Sequence, residues 1–166
     1  MKRWIGIFLL TFTSISHAND CLVRQNSPQL TPDETEQLLV TPTTSTMNGE
    51  TRKLFHFKNG SLLIAQWNEC ELGISFLLLS LDNKANTEMR IKNALWLDSL
   101  FRNSNSSQTQ ISAAIKQNPN TYSLSISQTN GAIIELHWEN LVSEDMAPAS
   151  MFSSSASYRW FGPEGM

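Results

Sequence analysis

An α+β fold built on an antiparallel sheet is predicted by three features of this 166-residue sequence. Alternating segments flank Asn130-Gly131, strand-like apolar runs flank Asn59-Gly60, and residues 87–102 repeat apolar side chains at helical spacing. Together they predict a β meander plus a C-terminal β-hairpin, packed on one long helix and one or two short helices.

The first element starts at Thr31-Pro32-Asp33-Glu34. Thr31 suits the N-cap, Pro32 the first helical position, and Glu34 closes a capping box. Leu38 and Leu39 are its only strong apolar residues, so a surface helix is expected to about Leu39, stopping before Pro42. Residues 41–50, rich in Thr and Ser, read as a loop. Strands follow over 52–58 and 61–67, joined at Asn59-Gly60, and a third, central strand over about 70–81. Both faces of the first two strands carry apolar residues, so their alternation leaves the register open.

Asn86 caps a helix over 87–102 that carries Met89, Ile91, Ala94, Leu95, Leu97, Leu100 and Phe101. That pattern needs burial around much of the circumference. Residues 103–108 read as a polar linker, and 109–117 as a shorter helix ended by Asn118-Pro119-Asn120. In the last hairpin, Tyr122, Leu124 and Ile126 alternate with serines, and Ile134, Leu136 and Trp138 alternate with Glu135, His137 and Glu139. A two-residue Asn-Gly loop would set the two apolar groups on opposite faces. A three-residue loop, Thr129-Asn130-Gly131, pairs Ile126 with Ile134 and Leu124 with Leu136, with Gly131 in the left-handed position. The second register is therefore expected.

The N-terminus carries an address. Lys2 and Arg3 precede an apolar stretch from Trp4 to Phe12, and Ser16-His17-Ala18 places small residues at a cleavage site. This predicts a signal peptide over 1–18, cleaved after Ala18, and export to the periplasm, with secretion as the alternative. Asp20 before Cys21 argues against lipidation. The longest later apolar run, Ile74 to Leu81, is eight residues and too short to span a bilayer. A single globular domain is expected over 19–145, followed by a Ser-rich, aromatic tail over 146–166.

Composition narrows the partners. The chain is 40% apolar and 16% charged, with a formal net charge of −3. That balance excludes a strongly basic nucleic-acid binder. Cys21 and Cys70 are the only cysteines. In an oxidising compartment they are expected to form one disulfide. No glycine-rich phosphate loop, serine-nucleophile elbow or metal-ligand cluster is present, so no cofactor or metal is indicated.

The candidate catalytic set is Glu135-x-His137-x-Glu139. Period-two spacing puts all three side chains on one face of a strand, where a carboxylate could orient the imidazole as a general base. A polar, solvated strand face is the competing reading, since Ser123 and Ser125 lie opposite. His56, between Phe55 and Phe57, reads as a partly buried structural histidine. Tyr158, Arg159, Trp160 and Phe161 form a late cluster of residue types enriched at interface hot spots, and an edge strand that buries them is the alternative. The expected function is a small exported, non-catalytic binding protein of the immunity or hydrolase-inhibitor type, with a protein partner in the cell envelope. A hydrolase using the His137 face and a cell-envelope assembly component are the alternatives.

Overall fold

The computed structural model describes residues 27–68, 72–81, 86–102, 105–141 and 152–163. Seven strands form one antiparallel sheet in the order β1-β2-β3-β4-β7-β6-β5. These are β1 (Thr43–Met47), β2 (Glu50–His56), β3 (Leu62–Asn68), β4 (Gly73–Ser80), β5 (Ser123–Ser127), β6 (Ile133–Asn140) and β7 (Ser154–Phe161). Helices α1 (Pro32–Glu36), α2 (Thr87–Ser99) and α3 (Asn105–Gln117) complete the α+β fold. The expected meander is β2-β3-β4 and the expected C-terminal hairpin is β5-β6.

Turn chemistry sets the registers. In the β5–β6 hairpin Ile126 pairs with Ile134 and Leu124 with Leu136, the three-residue-loop register. Gln128 N–H donates to Ala132 O at 2.8 Å, and Gly131, at φ 83°, takes the left-handed position. The β2–β3 loop repeats this pattern. Phe57 N–H donates to Ser61 O at 3.0 Å, Gly60 has φ 83°, and Asn59 Oδ1 accepts from Ser61 N–H. The register that alternation left open is therefore closed by the loop.

Five segments differ from expectation, the least of them α2, which ends at Ser99 and not at 102. Residues 43–47, read as loop, form edge strand β1, because Asn48 and Gly49 both have positive φ (54° and 81°) and make a two-residue turn pairing Met47 with Glu50. Helix α1 stops at Glu36 instead of Leu39, since Leu38 bridges to Phe57 and the Leu39 N–H donates to His56 O. Helix α3 begins at Asn105, inside the expected linker. The largest difference is β7. The segment expected as a tail lies between β4 and β6, joining the meander to the hairpin. Ala156, Tyr158 and Trp160 alternate with Ser157, Arg159 and Phe161, so one set meets the apolar faces of both neighbours.

The core lies on one side of the sheet. Phe55, Leu63, Ala65, Trp67, Ile74, Phe76 and Leu78 of the meander continue through Ala156 and Tyr158 to Ile134, Leu136 and Trp138. Helix α2 packs there over β7, and α3 over β5, presenting Ala94, Leu97, Ile111 and Ile115 to the sheet. Leu124 and Ile126 are partly buried against the same core. The sheet's other face carries no helix among the described residues. Among those residues, no helix is long and apolar enough to cross a membrane.

Candidate functional site

Where α2 meets the ends of β4, β6 and β7, the covering helices leave a cleft of about 790 Å³. Its floor is apolar: Phe57, Leu78, Trp138 and Ala156, all buried side chains. One wall is a face of α2, where Met89, Asn93 and Trp96 follow at helical spacing. The wall is anchored at its N-terminal end by Asn86, whose Oδ1 accepts from Met89 N–H at 2.8 Å.

The opposite rim is α1, and a single carboxylate fixes it. Glu34 Oε2 accepts from the Thr31 N–H at 2.7 Å, completing the expected capping box. The other oxygen, Oε1, accepts from the Trp96 indole Nε1–H. The capping residue thus also holds Trp96 upright, edge-on to Phe57 with ring centroids 5.9 Å apart. Helix α1 buries no residue of its own, so this bond and Leu38 do much of its docking.

Arg90 is the buried charged group of the cleft, only 6% exposed. Its Nη1 donates to Pro119 O at 3.0 Å and Thr121 O at 3.2 Å, and the guanidinium stacks on Tyr122 and Trp138 at 4.9 and 5.7 Å. The enclosed Nε–H has no acceptor among the described residues. An enclosed donor left without an acceptor costs about 1–3 kcal/mol, and more when charged. Lys92, two residues on and on another side of α2, lies on the rim. The cleft is therefore polarised: the Arg90 guanidinium over Trp138 near the N-terminal end of α2, and Trp96 against Phe57 about two turns further on.

A second, shallower trough of about 960 Å³ crosses the uncovered face. Its side chains Arg52, Gln66, Ser75 and Arg159 form one cross-strand row. Arg52 is already paired with Glu50 at 2.9 Å, and both are well exposed. Trp160 Nε1 likewise has no acceptor among the described residues, but it is a neutral donor on a partly buried ring packed against Phe101 on the helix side. An enclosed cation makes the first cleft the stronger candidate.

The buried polar cluster next to β7 is closed. Asp98, fully buried on α2, accepts at Oδ1 from Tyr158 Oη and Arg102 Nη2, each at 2.6 Å, and at Oδ2 from Ser107 Oγ at 2.7 Å. Arg102 Nη1 donates to Gln128 Oε1 at 2.6 Å, and the guanidinium lies over Phe101 and Trp160. Burial, reinforced by the Asp98 charge and partly opposed by Arg102, pushes the Tyr158 phenol far above its usual range. The cluster ties α2, α3, β7 and the last hairpin together and lines neither cleft.

Glu135, His137 and Glu139 are exposed, on the sheet face away from the helices. His137 has Ser123 and Ser157 as its cross-strand neighbours and lines neither cleft. His56 is exposed, not partly buried, because Phe55 and Phe57 take the core side of β2. Among the described residues no three His, Cys, Asp or Glu side chains converge as a metal site. The expected partner-binding cluster is split by the pleat. Tyr158 is in the core and Trp160 partly buried, while Arg159 and Phe161 point to the open face, where Phe161 pairs with the exposed Ile133. Cys21 and Cys70 lie outside the described residues.

The sequence reading missed Arg90. Its signal was present: positions 90, 94 and 97 form one stripe of α2, apolar except for a cation at its head. No protein-family model, curated protein or solved structure is significantly similar to this chain.

Proposed function

We propose that this is an exported, non-catalytic binding protein that holds a segment of a protein partner in the α1–α2 cleft. The observation that carries the reading is Arg90, an enclosed cation whose Nε–H has no acceptor among the described residues, beside an aromatic floor. Apolar clefts with a few convergent polar groups are the usual form of a binding site. In this reading residues 1–18 act as a signal peptide that exports the protein to the periplasm, where a Cys21–Cys70 disulfide would suit the compartment. An immunity or hydrolase-inhibitor protein is the form this reading takes when the partner is an enzyme. The hydrolase alternative has no support from geometry, since His137 stands on a flat strand face and not in a concavity.

Trp96 and Trp138 supply the readout, because both line the cleft. Residues 19–166 are used to select binders from a displayed library of random linear peptides. Selected peptides are expected to change the tryptophan fluorescence and to bind at least about tenfold more weakly to Trp96→Ala, the loss of a buried aromatic contact. Binders that ignore Trp96→Ala, or a library that yields none, would overturn the reading.

A further inference from the structure

The polarity of the cleft specifies more than a generic ligand. Arg90 stands about one turn into α2, and Lys92 lies on the rim near mid-helix. Trp96 and Phe57 stand at the other end. Glu34 is the acidic group on the rim, and both its oxygens are engaged, by Thr31 and Trp96.

We propose that the cleft binds an acidic peptide segment, seating a carboxylate on the Nε–Nη2 edge of the Arg90 guanidinium and an apolar side chain against Trp96 and Phe57. This deepens the binding-protein reading and rests on it. A carboxylate is the acceptor that suits a guanidinium whose Nη1 is held by two carbonyls, because its two oxygens match the edge left over, Nε–H and Nη2–H, with charge-assisted bonds. Those two carbonyls and the stacking on Tyr122 and Trp138 fix the guanidinium before any ligand arrives, so little side-chain entropy is lost on binding.

Spacing follows from helix geometry. Arg90 and Trp96 are six residues apart on α2, roughly 9 Å along the axis. An extended peptide advances about 3.3–3.6 Å per residue, so the acidic and apolar residues of the ligand are separated by two or three positions.

The peptide library described above provides the probe. Selected sequences are expected to carry Asp or Glu two or three positions from a large apolar residue. Replacing that acid by its amide, measured by calorimetry on the intact wild-type protein, is expected to weaken binding about tenfold to a hundredfold. Arg90→Gln is expected to abolish the difference between acid and amide peptides. Arg90 also braces the α3–β5 connection, so that variant is compared only after its melting curve matches wild type; the peptide substitution decides the matter without it. Selected peptides lacking the acid, or acid and amide forms of equal affinity, would overturn this inference while leaving the binding reading standing. Failure to select any peptide would overturn both.

Discussion

The β2–β3 and β5–β6 hairpins share one turn and differ in their outer faces. Each closes with a three-residue loop ending in a left-handed glycine, and each loop asparagine accepts from the backbone N–H two residues later. On the face away from the helices, β5 and β6 carry Ser123, Ser125, Glu135, His137 and Glu139, all exposed. The same face of the meander carries Leu54, Leu62, Ile64, Leu77 and Leu79, all partly buried. In the last hairpin hydrophobic alternation alone selects the register, since a one-residue slip would bury the glutamates. In the meander either register buries leucines, so the loop geometry decides. Turn residues are decisive where the pattern is ambivalent and redundant where it is clean.

Strand β7 joins these two unlike halves, and removing it should have the largest effect. Deletion of 152–166 is expected to abolish cooperative thermal unfolding followed by circular dichroism, because it exposes the apolar faces of both β4 and β6. A truncated protein that melts like the full chain would show that the halves need no joint. Next comes the cluster that fastens β7 to α2. Asp98→Ala strands Arg102, Tyr158 and Ser107, and should cost about 3–5 kcal/mol in urea denaturation. A cost under about 1 kcal/mol would mean that solvent replaces the carboxylate.

Smaller effects distinguish the outer faces. Leu77→Ala, in the middle of the leucine stripe, is expected to cost about 1–2 kcal/mol, below the range for fully buried leucines because this one is partly exposed. His137→Ala, in the same cross-strand row on the hairpin side, should stay within about 0.5 kcal/mol. Equal costs would erase the comparison. The last effect appears only in alkali. The folded state raises the Tyr158 phenol above its unfolded value, so this residue's contribution is complete below about pH 10 and is lost as pH rises further. Stability should fall above about pH 10, and Tyr158→Phe should flatten that fall.

Legibility in the sequence followed the same division. The capping box, the Asn86 cap and the last hairpin's register rest on local patterns and stand as read. Strand β1 was missed because all five of its side chains are exposed and carry no alternation; Asn48-Gly49, the third Asn-Gly pair of the chain, was its signal. Strand β7 was missed because the serine run around 153–157 looks like low complexity, although Ala156, Tyr158 and Trp160 alternate. Its central place depends on two distant partners, which periodicity does not reveal. The cleft was least legible. It combines α1, the β2–β3 loop, α2, β6 and β7, and its key residue looks in sequence like one more charge on a helix.

The most direct test of the cleft against the open face is a nitrogen–proton correlation spectrum of residues 19–166, titrated with one selected acidic peptide. The account predicts shifts at the Arg90 Nε–H and at the Trp96 and Trp138 indole N–H groups, with Glu135, His137, Glu139 and Arg159 unmoved. Shifts confined to those four residues, with the Arg90 Nε–H unchanged, would contradict it.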